Sequence, residues 1–292
     1  MKLGLGTVQF GVPYGVSNTL GQPNAAEVKR ILLMAENAGV SVLDTATSYG
    51  EAEAILGQSL WPHHNFAIVT KTPVLGGGWT VGESIDILRS TFETSLRRMK
   101  QDSVYGLLLH QSADLFTPEG QRIADAMLEL VEKGLVQKIG VSVYTAEEID
   151  GVLNVFTPDL VQLPLSIFDQ RLISSGHLAM LKSRGMEIHV RSVFLQGLML
   201  MESTPAYFQP IREHMERYAE FLRQTGMSRI EAALSFVSAV PEVDVAIVGV
   251  ACSRELAEVL SAHERAKGRR ENFAAFAIED ESMVNPALWK LH

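Results

Sequence analysis

The chain has 292 residues, 47% hydrophobic and 20% charged, which is enough apolar sequence to bury a large core. A formal charge of -9, with no Lys/Arg run longer than the "KGRR" of 267–270 (read as a solvated helix end), argues against nucleic acid as a partner, and the single Cys252 excludes an internal disulfide and fits a reducing cytoplasm. No apolar run is long enough for a membrane span or, after "MKLGLGTVQFG", for a signal peptide, and the adjacent His63 and His64 lack the Cys/His spacing that would hold a metal.

Short apolar runs alternate with amphipathic stretches along the chain. The first run, "KLGLGTV" at 2–8, is followed by a helix at 24–38. Asn24 caps that helix with Glu27 three residues on as a capping box; Val28, Ile31, Leu32 and Ala35 form its apolar face, and Gly39 stops it. The second strand, 40–46, carries Asp44 near its end and precedes a helix at 51–60. The third, 66–72, carries Lys71; "LGGGW" at 75–79 then reads as a loop rather than a phosphate cradle, since no Lys-Ser/Thr follows, and a helix spans 82–99. The fourth, 104–110, ends on His110 before a helix at 119–133. Strands at 138–144, 160–166, 187–193 and 245–250 alternate with helices at 145–155, 174–184, 204–225, 228–239 and 252–266, and the tail from about 270 to 292 has no clear period and is expected outside the barrel.

The strands are nearly continuously apolar, as parallel strands covered on both faces must be. Eight of them alternating with helices predict an α/β fold, a (β/α)8 TIM barrel in a single domain over 1–292. A doubly wound open sheet would carry a G-x-G-x-x-G turn, and "GLGTVQFG" places Gln9 where the third glycine belongs.

Chemistry in such a barrel sits at the carboxyl ends of the strands. Singly, Asp44 is a turn residue, His110 a core histidine and Lys71 a lysine reaching for solvent. Three consecutive strands ending on charge-capable residues, with Tyr49 just beyond the second, point instead to one site. Asp44 beside Lys71 keeps the ammonium charged, and Lys71 beside Tyr49 is expected to lower the phenol pKa, giving a general acid; His110 can hold a carbonyl oxygen. No activated serine or cysteine supplies a nucleophile, so a hydride from a bound cofactor is the natural complement.

The stretch "GVSVLDTATSYGEAEAILG", followed by "VTKT", "LLLH", "LVEKGLVQKIGVS" and "VQLPLSIFDQR", closely resembles the aldo-keto reductases over nearly the whole chain. The resemblance implies a catalytic tetrad of Asp44, Tyr49, Lys71 and His110, with Tyr49 as proton donor, and a nicotinamide dinucleotide at the barrel mouth. It assigns Gly6 and Thr7 to the cofactor site and Ser142 and Gln162 to the carboxamide, although Val143 replaces the usual asparagine. It sets Arg191 against the ring in place of an aromatic, and Phe194, Leu195, Gln196 and Gly197 along the pyrophosphate. Toward the adenosine it assigns Gly249, Ser253, Arg254 and Glu258; Arg254 and Glu258 also suit a surface salt bridge at i,i+4.

On this basis the cofactor is expected to be NADP, held by Ser253 or Arg254, with NAD possible if Glu255 repels a 2′-phosphate. The substrate is expected to be an aldehyde or ketone. A likeness of "GTVQFGVPYGVSNTLGQP" to a bacterial branch of the family suggests a sugar-related one, whereas Trp79 and Phe168 at the mouth suit small hydrophobic carbonyls. Two other readings are a Schiff-base aldolase using Lys71 as nucleophile, which Asp44 disfavours by keeping the amine protonated, and a cofactor-binding redox sensor with little turnover.

Overall fold

The computed structural model describes residues 1–76 and 78–290; Gly77 of the "LGGGW" loop and the last two residues of the tail lie outside the described residues. Eight parallel strands close into a barrel in sequence order: β1 Lys2–Gly6, β2 Val42–Asp44, β3 Ala67–Lys71, β4 Val104–Leu109, β5 Val136–Ser142, β6 Leu160–Pro164, β7 Glu187–Arg191 and β8 Val245–Gly249. The α-helices are α1 Val8–Gly11, α2 Ala25–Asn37, α3 Ala52–Ser59, α4 Val81–Met99, α5 Gly120–Glu132, α6 Ala146–Leu153, α7 Arg171–Ser174, α8 His177–Ser183, α9 Arg212–Thr225, α10 Arg229–Ser238, α11 Ser253–Ala266 and α12 Glu281–Val284.

Each strand feeds two cores, because successive side chains point to opposite faces. Val42, Val69, Leu108, Leu160, Val245 and Ile247 fill the barrel interior. Their neighbours Leu43, Leu107, Leu109, Val161, Val190 and Val248 face outward, into the larger core under the helices. That double burial explains the unbroken apolar runs.

The same alternation sets up the mouth. Two residues beyond the inward Val42, Val69 and Leu108 come Asp44, Lys71 and His110; two beyond Leu160 and Ile247 come Gln162 and Gly249. The register keeps these ends level, pairing Gly6 with Asp44 and with Gly249, and Ser142 with Gln162.

Several boundaries differ from the sequence expectation for local reasons. The first strand stops at Gly6, and Val8–Gly11 forms a short helix instead of continuing it. The helix expected at 174–184 starts afresh at His177, because Gly176 adopts a left-handed conformation. The one expected at 204–225 opens with a 3-10 stretch, Ala206–Ile211, containing Pro210, which cannot donate an α-helical hydrogen bond. Asn24 does cap α2 by accepting from the Glu27 amide, but Glu27 points elsewhere; the reciprocal capping box is Thr80 with Glu83, at the head of α4. In the tail, Phe276 packs on Tyr218 and Phe221 of α9, and the Ile278 amide donates to the Phe168 carbonyl. Arg269 of "KGRR" is no free surface cation, for it pairs with Glu231 and Glu271.

Candidate active site

A cavity of about 1260 Å³ opens at the carboxyl ends of the strands. Its inner end is built on a buried ion pair. Lys71 Nζ donates to Asp44 Oδ1 at 2.7 Å and to the Thr45 carbonyl at 2.9 Å, with both side chains nearly without solvent contact. Gln162 Nε2 donates to the same Asp44 oxygen at 2.7 Å, and β1 is tied in by Thr7, whose amide and hydroxyl both donate to the Asp44 carbonyl. Burial pulls the Lys71 pKa below its ordinary value, and Asp44 opposes that through its charge and its hydrogen bond.

Tyr49 stands half-buried above this pair, its ring centroid 5.0 Å from Lys71 Nζ and edge-on to His110 at 5.9 Å. Among the described residues its hydroxyl has no hydrogen-bond partner, so it faces the cavity unengaged. Burial holds the phenol pKa well above its ordinary value; the charge of Asp44 raises it further, and Arg191 is the cation that pulls it down. The expectation that Lys71 lowers it is therefore corrected, because the ammonium is turned into Asp44 and the Thr45 carbonyl. Tyr49 stays a proton-bearing phenol at neutral pH, the form a proton donor needs.

His110 is pushed down to a pKa of about 4, by burial first and by the nearby Lys71 charge second, so the ring is neutral at pH 7. Ser48 Oγ lies 3.3 Å from His110 Nδ1. With the serine as donor, the Nε2 tautomer carries the proton and presents a donor for a carbonyl oxygen.

Gly6, Thr7, Ser142, Gln162, Arg191, Phe194, Gln196, Gly197, Gly249 and Glu258 line the cavity as anticipated; Leu195, Ser253 and Arg254 do not. Leu195 is fully buried in the core, the Ser253 amide is taken by Glu27, and Arg254 is exposed. Arg254 and Glu258 form no ion pair among the described residues. Arg191 is stacked on Tyr144, with its guanidinium carbon 4.0 Å from the ring centroid, and donates to the Val143 carbonyl. Phe168 and Trp79 do not line the cavity: Phe168 is wholly buried against His214 and Tyr218, and Trp79 is exposed in the loop between β3 and α4.

Gln9, Tyr14, Ser17, Tyr144 and Arg229, which no sequence pattern marks as site residues, also line the cavity. Most sit in loops or helix starts with no periodicity to expose them. The strap at 14–18 crosses the mouth: the Val16 amide donates to the Gln196 carbonyl, and Gln196 Nε2 donates to the Tyr14 hydroxyl at 2.7 Å. Positive φ at Ser192, Leu195 and Gln196 marks the partner segment as strained, a feature common where a backbone must clamp a ligand.

The residues present fit a nicotinamide dinucleotide. Gln162 Oε1 is fully buried and lacks a partner, while its amide group is committed to Asp44, which leaves an acceptor for a carboxamide N–H. At Gly249 a Cβ would stand 2.5 Å from the end of the Gln9 side chain and would displace it, so glycine keeps that wall of the cavity free for Gln9.

The family model for the aldo/keto reductase family matches residues 2–277. Among curated proteins, the chain is 25% identical to an NADH-specific methylglyoxal reductase of Escherichia coli, over 95% of this chain and 90% of that one. It is 27% identical to a 6-dehydroglucose reductase of Novosphingobium aromaticivorans, over 80% and 79%. Among solved structures, the holo form of an aldo-keto reductase from Bacillus halodurans superposes with a TM-score of 0.72 at 18% identity, covering 100% of this chain and 94% of that one. A glycerol dehydrogenase from Gluconobacter oxydans does so with a TM-score of 0.71 at 19% identity, covering 97% and 92%.

Proposed function

The chain belongs to the aldo/keto reductase family, and on that premise we propose that it is a cytoplasmic oxidoreductase that interconverts a small aldehyde or ketone and its alcohol, with a nicotinamide dinucleotide as hydride carrier and Tyr49 as proton donor. The observation that carries this is the meeting of Asp44, Lys71, Tyr49 and His110 at the inner end of one cavity, beside the free acceptor of Gln162.

A nicotinamide held there by Gln162 and Ser142 would supply hydride chemistry for a carbonyl carbon. Neutral His110 donates from Nε2 to the carbonyl oxygen and fixes it against the phenol. Tyr49 gives its proton to that oxygen as negative charge develops. The guanidinium of Arg191 offsets the charge left on the phenolate. Gln162 and Ser142 orient the carboxamide, and the strap across Gln196 keeps water out. Read backward, the same residues oxidise an alcohol.

The polar lining near Tyr49, contributed by Tyr14, Ser48 and Tyr144, favours a hydroxyl-bearing carbonyl compound over an apolar one. A dehydroglucose, from the name of one similar protein, fits that description, and glycerol, from another, is the alcohol form of such a compound, whereas methylglyoxal is a small dicarbonyl without a hydroxyl. The Schiff-base reading is weakened because Lys71 is 1% exposed and already donates to Asp44 and the Thr45 carbonyl.

Tyr49→Phe tests the proposal. A general acid contributes roughly 10²–10⁴-fold, so turnover of methylglyoxal and of small hydroxycarbonyls should fall at least 100-fold with cofactor binding kept. Retained turnover removes Tyr49 from its role, and cofactor binding without turnover by the unaltered protein returns the redox-sensor reading.

A further inference from the structure

Toward its outer end the cavity is lined by Glu255 and Glu258 of α11, by Arg223 of α9 and by Arg229 at the start of α10. We infer that this end selects NADH over NADPH and that Glu258 is the specificity-determining carboxylate; the inference rests on the proposed binding of a nicotinamide dinucleotide in this cavity.

Glu255 and Glu258 line the cavity beside the start of α11, and Glu27 reaches that start from α2. A helix start ordinarily receives a phosphate, through free amide N–H groups and the positive end of the helix dipole. Here the start of α11 is already occupied. Glu27 reaches over from α2, and its Oε1 accepts from the Ser253 amide at 2.6 Å; the same contact holds the Glu27 carboxyl below its ordinary pKa, so it stays anionic. Glu255 folds back so that Oε2 accepts from the Ala251 amide at 2.7 Å, which closes the turn after β8. Glu258, the next turn along, makes neither a hydrogen bond nor an ion pair among the described residues, and it is exposed on the cavity wall. Arg254 does not line the cavity.

The charge balance agrees. The pyrophosphate common to both cofactors carries two negative charges; Arg229 lines the cavity with no ion pair among the described residues, Arg223 is already paired with Glu220, and Glu202 adds a further carboxylate to the lining. A 2′-phosphate adds about -1.5 to -2 further, and on the α11 side of the cavity it would meet Glu255 and Glu258, with Arg254 outside the lining and Glu27 paired with Arg30. A ribose diol instead offers O–H donors, and a carboxylate is acceptor-only when ionised, which is why acidic residues recognise the 2′-hydroxyl in other dinucleotide sites. Glu258 has its oxygens free for that role. The inner end of the same cavity holds the unpartnered Gln162 Oε1, so the two ends together suit a whole dinucleotide.

Direct binding of NADH and NADPH to the full-length protein, by calorimetry at fixed salt, tests this without relying on turnover. NADH should bind at least tenfold tighter, about 1.4 kcal/mol. Glu258→Gln keeps the side-chain size and removes the charge, and should bring the two dissociation constants to within about threefold. Glu27→Gln, on a different helix, should narrow the ratio as well and guards against a local folding defect at α11. Equal or tighter NADPH binding by the unaltered protein overturns the selectivity, and an unchanged ratio in Glu258→Gln overturns its assignment to that residue. Binding of neither dinucleotide overturns the proposed function along with this inference.

Discussion

Asp44 and Lys71 are each tolerable inside the barrel only because of the other. Removing one partner of a buried ion pair leaves an uncompensated charge and costs about 3–5 kcal/mol, whereas removing both can be nearly neutral. Asp44→Asn and Lys71→Met should therefore each lower the urea midpoint by the equivalent of about 3 kcal/mol, and the double variant should lose much less than their sum. Strict additivity would mean that the two side chains do not stabilise each other. His110 gives a pH dependence of known sign. Its folded pKa of about 4 lies below the ordinary 6.5, so between those values the unfolded chain binds the extra proton and stability rises with pH. The penalty is absent above about pH 6.5 and reaches at most about 3 kcal/mol below pH 4. His110→Gln should flatten this limb in unfolding titrations, and an imidazole titrating near 6.5 by NMR would contradict it. Asp44, Lys71 and His110 are legible in sequence because each stands two positions beyond an inward apolar residue of its strand. The influence of Arg191 on Tyr49 is not, since β7 and the loop after β2 meet only when the barrel closes.

At the scale of elements, the strands are legible to within a few residues because double burial leaves no ambiguity in their composition. The short helix α1 is hidden, because its apolar residues continue the run of β1 and only the fold shows the turn. Its consequence for the site is steric. A Cβ at Gly11 would lie 1.7 Å from the Tyr49 carbonyl oxygen and 2.7 Å from the Ala52 amide, so α1 sits directly against the backbone that carries Tyr49. Gly11→Ala must push that backbone away. A misplacement of about 1 Å costs on the order of 10²-fold in rate, so turnover should drop by at least tenfold while NADH affinity changes by less than about threefold. Near-normal turnover would show that the Tyr49 turn yields without consequence. The strap over Gln196 is likewise invisible in sequence, because its partners are about 180 residues apart in the chain.

Across the whole molecule, the barrel has polar groups at both ends, and the two ends do different work. Opposite the mouth, Glu187 at the start of β7 accepts from Tyr105 and Lys138 at 2.5 Å each and meets His189 Nε2 at 2.7 Å, joining β4, β5 and β7. Burial pushes the Glu187 carboxyl up, but the hydrogen bonds from His189, Lys138 and Tyr105 outweigh it and hold the pKa well below the ordinary carboxylate range. A depressed carboxylate adds stability that is present above its unfolded pKa and fades as the pH falls toward the folded one. In a barrel of this kind the amino-terminal face serves stability and the opposite face serves chemistry. Glu187→Gln therefore should lose about 2–3 kcal/mol at pH 7, at the low end for a broken buried pair because Lys138 keeps part of its solvent. The loss should shrink on acidification below about pH 4.5, where Glu187 of the unfolded chain takes up a proton that the folded carboxylate does not. The cofactor dissociation constant and turnover number should stay at their original values, since none of Tyr105, Lys138, Glu187 and His189 lines the cavity. Paired measurement of urea midpoints and turnover for this variant separates the two ends: a fall in turnover at full folding would mean that the barrel transmits the change from base to mouth.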